Sequence, residues 1–380
     1  MRVLFAGGGT GGHLYPAIAV AREILRRDPE AAVLFAGTVQ GIESAILPRE
    51  GLELKTIRIA GLKRKRKMEQ ILTLFTLPSA LVHALAVVRN FRPDVAMGVG
   101  GFVSGPLILA AWLLRKSTSL QEQNSVPGLT NRILARFADR IYTAFDGAEN
   151  YFPKGKVLLT GNPLREGVER GDRSEALARF GFDPDRKTVL VLGGSRGAHA
   201  INRLLVKMIR EPAWSDLPVQ FLHQTGREDA EEVRRAYNRS GIRAEVRAFF
   251  DRMDWVYAAA DLVVSRAGAM TLSEICAAGI PSLLIPFPFA ADDHQTKNAS
   301  ILAGYGAAEV LPQHELGPGD LGIRIRTLLE DPGRLARMRE AALKWARPDA
   351  VRVLVDDLER RVRRGVTKTR GSRERDFPGD

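Results

Sequence analysis

The sequence predicts an α/β protein made of two Rossmann-like, doubly wound domains. Three observations carry that expectation. Short apolar runs alternate with amphipathic stretches, the pattern of a parallel sheet with helices on both faces. Two of the runs, "VLFAGGG" from Val3 and "TVLVLGG" from Thr188, break directly into glycine and then into a helical stretch. The chain has 380 residues, enough for two domains of ordinary size.

In the N-terminal half the strand-like runs are Arg2–Ala6, Ala32–Ala36, Val95–Val99 and Ser119–Glu122, with amphipathic stretches such as Ala17–Arg27 and Leu129–Phe137 between them. A second cycle opens at Thr188–Leu192 and continues through Gln220–Gln224, Glu245–Phe249, Leu262–Ser265 and Ser282–Pro286. The join is expected in Leu158–Val168, where Asn162-Pro163 breaks regular structure. That gives an N-terminal domain over 1–162 and a C-terminal domain over 163–345. Residues 346–364 read as a C-terminal helix suited to packing back on the N-terminal domain, and the polar 365–380 as a disordered tail. Ligands of open α/β sheets bind at the carboxyl ends of the strands, so the active site is expected in a cleft between the domains.

Composition narrows the function. Hydrophobic residues at 45% and charged residues at 26% are ordinary for a soluble protein. No stretch reaches the roughly 20 apolar residues of a membrane span, and the chain enters a strand at once, so no signal peptide is expected. One cysteine, Cys276, excludes an internal disulfide or a Cys-rich metal site and fits a reducing cytosol. The unusual number is charge: 56 basic against 44 acidic residues, a net +12. That points to a polyanion, either nucleic acid or an anionic membrane surface.

Gly7, Gly9 and Gly12 satisfy G-x-G-x-x-G, but a dinucleotide site also wants an acid closing the second strand. Thr38, Val39 and Gln40 stand there, and the first acid is Glu43, so a nicotinamide cofactor is disfavoured. The loop suits a phosphate or sugar-phosphate held by backbone amides at a helix start, with tight strand–helix packing as the alternative. A helix start keeps His13 neutral and able to accept a proton; capping or packing is its alternative. In "SRAGAMTLSEICAAG", Ser265–Gly279, a helix is expected from near Thr271. Amides at Ala269 and Met270 suit a diphosphate and Glu274 suits ribose hydroxyls, though Thr271-x-x-Glu274 also reads as a capping box. Asp293, His294, Gln295 and Asn298 are polar groups suited to sugar hydroxyls, and Cys276 is expected in the core. Lys63, Arg64, Lys65, Arg66 and Lys67 lead into an apolar stretch, Ile71–Val88, that holds Leu74 and Phe75 and is interrupted by Pro78 and His83. A basic cluster beside an apolar helix is a membrane-surface signature, and a buried helix with a solvated charge run is the alternative. No nucleic-acid module supports the other reading of the charge.

Taken in order, "GGGTGGHLYPAIAVA", "GVGGFVSGP", "QEQNSVPGLTNR", "TGNPLR", "LGGSRGAHAIN" and "SRAGAMTLSEICAAGIPSLLIPFPFAADDHQTKNA" resemble the MurG family. These are bacterial family 28 glycosyltransferases that move N-acetylglucosamine (GlcNAc) from UDP-GlcNAc onto undecaprenyl-diphospho-muramoyl-pentapeptide (lipid I), giving lipid II for peptidoglycan. The resemblance implies a GT-B fold, inversion at the anomeric carbon and peripheral attachment to the cytoplasmic face of the cell membrane. It also implies a role in cell shape and division, with other cell-wall or division proteins as further partners. By motif, it places Thr10, Gly11, Gly12, Asn124 and Arg165 near the transferred sugar, Ser195 at the diphosphate and the Phe250 backbone at uracil. Ala269, Met270 and Thr271 would cradle phosphate, Glu274 hold ribose and Gln295 bind GlcNAc. His294 stands where many relatives have glutamine, which leaves one sugar contact open. His13 is the expected base, and Gly100, Gly101, Ser104 and Gly105 the expected seat of the acceptor diphosphate. UDP-GlcNAc is the donor substrate, and no cofactor is expected to be held. The only Asp-x-Asp, Asp183-Pro184-Asp185, precedes its strand, so no catalytic metal is expected. A GT-B enzyme acting on diacylglycerol and a UDP-GlcNAc epimerase are the rivals within the fold. A non-catalytic basic binder of membrane or nucleic acid is the rival from another class.

Overall fold

A computed structural model of the chain describes residues 1–57, 67–194, 197–211, 214 and 217–373, with the side chains of 67–77, 318 and 364–373 excepted. Lys63, Arg64, Lys65, Arg66 and Ser195 lie outside the described residues, while Lys67, Leu74 and Phe75 are placed as backbone only. The chain divides into two compact units, Met1–Arg165 joined by the chain from Pro348 on, and Glu166–Arg347. Arg165, expected with the second domain, therefore belongs to the first unit.

The first unit runs β1 (Arg2–Gly7), α1 (Gly11–Arg27), β2 (Ala32–Gly37), α2 (Glu43–Ile46), β3 (Glu53–Thr56), α3 (Lys67–Phe91) and β4 (Val95–Gly100). It continues with α4 (Ser104–Leu113), β5 (Ser117–Glu122), α5 (Leu129–Leu134), β6 (Arg140–Thr143) and β7 (Val157–Leu159). Its seven strands are parallel in the order β3-β2-β1-β4-β5-β6-β7. Val3 to Ala6 are wholly buried, as a central parallel strand covered on both faces must be. Alternate residues serve opposite layers: Val3 and Phe5 pack with α1, Leu4 and Ala6 with the residues of α3 and α4. Phe5 faces Phe35 in register, with stacked rings 4.9 Å apart.

The second unit runs α6 (Arg173–Phe180), β8 (Lys187–Leu192), α7 (His199–Met208), β9 (Val219–Gln224), α8 (Ala230–Ser240), β10 (Ala244–Arg247) and α9 (Met253–Ala259). Then come β11 (Leu262–Ser265), α10 (Ala269–Ala277), β12 (Ser282–Leu284), α11 (His294–Gly304), β13 (Ala308–Val310), α12 (Pro318–Leu329) and α13 (Pro332–Trp345). Its six strands are parallel in the order β10-β9-β8-β11-β12-β13. Each sheet reverses its winding at its first strand, β1 or β8, which puts the loops after those strands where open α/β sheets bind ligands.

Pro78 and His83 interrupt the apolar character of Ile71–Val88 but do not break the helix: α3 is continuous from Lys67 to Phe91. Proline removes one backbone bond, but Ala80, Ala84 and Val88 recur every four residues and are fully buried, locking the following turns against the core. Nor does disorder begin at Gly365. The last helix, α14 (Ala350–Arg373), runs through it, since one glycine costs a helix only about 1 kcal/mol and no proline lies between Ala350 and Arg373. Residues 374–380 lie outside the description. Leu354, Val355 and Leu358 bury α14 in the α1 layer of the first unit. Asp357 there accepts from Arg140 Nε at 2.9 Å and from the Tyr142 hydroxyl at 3.0 Å, while Arg27 donates to Asp356 at 2.6 Å.

Candidate active site

In the first unit β1 ends at Gly7 and the loop continues through Gly8 and Gly9, all three at positive φ. A Cβ on Gly7 would lie 2.7 Å from Val99 Cγ2, one on Gly8 2.6 Å from the Glu43 carboxyl, and one on Gly101 2.9 Å from the Gly8 carbonyl oxygen. The two glycine runs therefore pack against each other, backbone to backbone. Glu43, at the start of α2, is buried and its carboxylate accepts from Gly9 N at 2.9 Å, Thr38 N at 2.8 Å and Thr38 Oγ1 at 3.0 Å. The Gly9 amide is thus held by the chain's own carboxylate, and the amides that the sequence reading offers a sugar-phosphate are those at the α1 start.

The loop leads into Thr10, the N-cap of α1, whose carbonyl accepts from His13 N and Leu14 N, both at 3.2 Å. Thr10 Oγ1 lies 3.0 Å from His13 Nδ1. The ring rests on Gly100 (φ +100°), where a Cβ would come within 2.9 Å of Nε2. Nε2 can accept a proton only when Nδ1 carries its hydrogen toward Thr10 Oγ1. Gly11 and Tyr15 follow on the same helix, and the Arg165 guanidinium stacks 4.6 Å from the Tyr15 ring centroid. Thr10, Gly11, Gly12, His13, Gly100 and Arg165 are thus gathered at one end of the sheet. Ser104 joins them. Its hydroxyl is buried and faces the carbonyls of Ala6 at 2.6 Å and Gly100 at 2.9 Å, so only backbone at Ser104 and Gly105 remains for a ligand.

Asn124 ends a buried polar network. Its backbone N–H donates to Glu122 Oε1 at 3.0 Å, while Glu122 Oε2 accepts from Asn131 Nδ2 at 2.8 Å. Burial pushes the Glu122 carboxyl above its usual range against the pull of those donors. Asn162, read in the sequence as a break and within the TGNPLR motif, is tied in through Gln121 Nε2 at 3.1 Å and the Gln123 carbonyl at 3.2 Å.

In the second unit α10 begins at Ala269 with Gly268 as N-cap, and its first closed bond runs from Leu272 N to the Gly268 carbonyl. Thr271 is already inside the helix, two residues past a start expected near it, and Gly268 rather than Thr271 takes the N-cap, which displaces the alternative capping box. The amides before Leu272 are the ones a helix N-terminus presents to an anion. Below them Glu274 is buried and accepts from the Tyr257 hydroxyl at 2.8 Å. Cys276 is core, its thiol pushed up to about 12 by burial. The Phe250 N–H is spent on Gln224 Oε1 at 3.0 Å, so only its carbonyl suits the expected uracil contact. Arg266 donates to the Ile285 and Pro286 carbonyls and to Gln313, fixing the chain as it leaves β12. Gln295 Oε1 accepts from Phe287 N at 2.9 Å, and His294 Nδ1 donates to the Ala291 carbonyl at 2.7 Å, which leaves its Nε2 as an acceptor. Asp292 and Asp293 reach α11 through φ of 53° and 51°, a left-handed pair that aspartate tolerates better than most residues. Behind the loop after β8, Asn202 donates to Asp229 at 2.6 Å, and its Oδ1 accepts from His223 Nε2 at 3.0 Å. Burial pushes His223 down to about 3, so it is neutral.

Residues 3–143 match the glycosyltransferase family 28 N-terminal domain and residues 188–354 its C-terminal domain. The UDP-N-acetylglucosamine--N-acetylmuramyl-(pentapeptide) pyrophosphoryl-undecaprenol N-acetylglucosamine transferase of Myxococcus xanthus is 42% identical over 94% of this chain and 92% of its own. The chain belongs to the MurG family of glycosyltransferases. The identically named protein of Halalkalibacterium halodurans is 43% identical, over 93% of this chain and 98% of its own. The crystal structure of Acinetobacter baumannii MurG superposes with a TM-score of 0.75 at 31% identity, covering 94% of this chain and 99% of that one. The α/β architecture is thus the GT-B arrangement of this family, two Rossmann-like parallel sheets with helices between the strands. Tyr15, Gln224 and Tyr257, to which the sequence motifs give no role, contact Arg165, Phe250 and Glu274, and Glu43, read from sequence only as a misplaced acid, holds Gly9.

Proposed function

We propose that this protein transfers GlcNAc from UDP-GlcNAc to the muramoyl sugar of undecaprenyl-diphospho-N-acetylmuramoyl-pentapeptide, turning lipid I into lipid II for peptidoglycan synthesis. The observation that carries the reading is 42% identity, sustained over 94% of the chain, to a relative named for this transfer. An acceptor hydroxyl attacks the anomeric carbon, the bond from that carbon to the diphosphate breaks with inversion, and UDP leaves with the electron pair. The hydroxyl proton passes to His13 Nε2, a step worth about 10²–10⁴-fold when the base is well placed. Amides of Ala269, Met270 and Thr271 at the α10 start balance the charge that UDP gains. Ser195 assists at the diphosphate, Glu274 accepts from ribose, the Phe250 carbonyl meets uracil, and Gln295 with His294 reads GlcNAc hydroxyls. Thr10, Gly11, Gly12, Asn124 and Arg165 serve the transferred sugar, and backbone at Gly100, Gly101, Ser104 and Gly105 the acceptor diphosphate. UDP-GlcNAc is a substrate, and the reading gives the protein no resident cofactor or metal; Asp183–Asp185 precede β8, away from the ligand-bearing loops.

A lipid acceptor requires work at a membrane surface. No helix among the described residues is long and apolar enough to cross a membrane. Docking to the cytoplasmic face, through the Lys63–Lys67 cations and the helix bearing Leu74 and Phe75, is supported by apolar side chains exposed on the same unit. Trp112 and Leu113 end α4, Leu129 and Ile133 lie on α5 beside exposed Arg132 and Arg136, and Trp112 meets Phe137 edge-on at 5.0 Å. Contributions to cell shape and division would follow from wall synthesis.

The test supplies purified protein with UDP-GlcNAc and a lipid-linked muramoyl-pentapeptide. UDP release matched by GlcNAc on the lipid is expected. UDP release without transfer, or an epimerised nucleotide sugar, would overturn the reading.

A further inference from the structure

The first glycine loop encloses a carboxylate that the mechanism above does not use. Glu43 is 1% exposed, yet among the described residues no lysine or arginine pairs with it. Its partners are the Gly9 amide, the Thr38 amide and the Thr38 hydroxyl, all three donors. Glycine lines its pocket: a Cβ on Gly8 or Gly37 would fall within 2.6 Å of Glu43 side-chain atoms, and Gly41 leaves no more room. A buried charge without a counter-ion survives only where several donors converge on it. Here one of the three donors, the Gly9 amide, belongs to the backbone that launches α1, and Thr38, just after β2, supplies the other two.

We propose that Glu43 is a positioning residue for His13. Gly9, whose amide it holds, precedes Thr10, and Thr10 fixes the imidazole twice: its carbonyl caps the His13 amide and its Oγ1 meets Nδ1. The far side of the ring rests on Gly100, and the neighbouring Gly101 packs on Gly8, whose own Cα faces the Glu43 carboxyl. One carboxylate thus sets the turn from which His13 hangs and backs the loop on which its ring lies. It needs to be an acceptor at both oxygens. An amide in its place would set an N–H₂ group against a backbone N–H.

The inference rests on the transferase reading for its kinetics but has a test independent of it. In Glu43→Gln, kcat is expected to fall 10- to 100-fold while KM for UDP-GlcNAc and UDP affinity stay within about twofold. In a His13→Ala background the same substitution should have almost no further effect, because residues that act as a unit are not additive. A merely structural glutamate would cost the same factor in both backgrounds, and that outcome overturns the proposal, as does wild-type kcat in Glu43→Gln. The second readout is ¹H–¹⁵N NMR of the imidazoles, with His13 assigned from its loss in His13→Ala. Glu43→Gln should move the His13 ring nitrogens and leave His223 in place; an unmoved His13 signal also overturns the proposal. If Glu43→Gln does not fold, Thr38→Val removes one donor to the carboxylate at constant shape, and the same pair of backgrounds decides. Absence of transfer by the wild-type protein would sink the catalytic reading and leave the NMR test standing.

Discussion

Each unit opens its site with a strand, glycine and a helix start, yet the two use that device in opposite ways. In the first, glycines let the chain approach itself: Gly8 abuts the Glu43 carboxyl, Gly101 abuts the Gly8 carbonyl, and the Gly9 amide is already engaged. In the second, Gly268 has open space around it, with Thr271 Oγ1 the nearest atom to an added Cβ at 3.8 Å. Its φ of −69° demands no glycine. The lesson is that a glycine-rich loop reports close approach without saying what approaches. The occupant is an internal anion in one unit and, on our reading, a substrate diphosphate in the other.

The largest expected effect separates those uses. Gly8→Ala places a methyl group into the Glu43 carboxyl at φ +151° and should destabilise the fold by roughly 2–6 kcal/mol. Gly268→Ala should cost under about 1 kcal/mol of stability but weaken UDP binding, because its methyl crowds the helix end. Equal unfolding midpoints for the two variants would break the contrast.

Acid should also divide the units. His223 takes up its proton only near pH 3 when folded, against about 6.5 when unfolded. Below pH 6.5 the unfolded chain therefore binds a proton that the folded one refuses. The second unit then loses up to about 1.4 kcal/mol per pH unit from this group. Glu122 in the first unit has the opposite sign: its raised pKa makes the folded state bind the proton first, so falling pH stabilises it. Amide exchange followed between pH 7 and 4.5 should show protection failing first in Glu166–Arg347. Loss in the first unit first would contradict both assignments.

Next comes Glu274→Ala, expected to cost roughly 1–3 kcal/mol in UDP binding by calorimetric titration. Tyr257→Phe is the control. It removes one donor to the same carboxylate and should lower stability by about 1 kcal/mol with UDP affinity almost unchanged. The smallest effect per residue is expected from the Lys63–Lys67 cluster, about 1 kcal/mol per cation near anionic lipid. Neutralising Lys63, Arg64, Lys65 and Arg66 should release the protein from anionic vesicles and leave UDP affinity intact. Raising salt from 0.1 to 1 M, which shortens the Debye length from about 10 to 3 Å, should act likewise. Salt-independent vesicle binding would make the cluster a solvated face.

The central strands were legible because buried parallel strands are written as apolar runs: Val3–Ala6 and Val189–Leu192 could be read at sight. Short strands with polar or edge positions could not. β3 reads "ELKT" and β13 "AEV", and only their neighbours in the sheets make them strands. Local motifs misled where a neighbour competed. Thr271-x-x-Glu274 has the spacing of a cap, but Gly268 takes that position and Glu274 turns into the core toward Tyr257. Glu43 was visible only as an acid in the wrong place for a ribose. Its contact with Gly9 spans 34 residues and exists because β1 and β2 are neighbours, which no local pattern encodes.

The return of α14 to the first unit has a consequence for how the protein is made. Arg140 and Asp357 are 217 residues apart, and all of Glu166–Arg347 is synthesised between them. At translation rates of about 5–20 residues per second, β6 waits roughly 10–40 seconds for the helix that covers it. During that interval the α1 layer, destined for Leu354, Val355 and Leu358, stands bare on the nascent chain. Vectorial synthesis thus leaves the first unit, begun first, to be closed last.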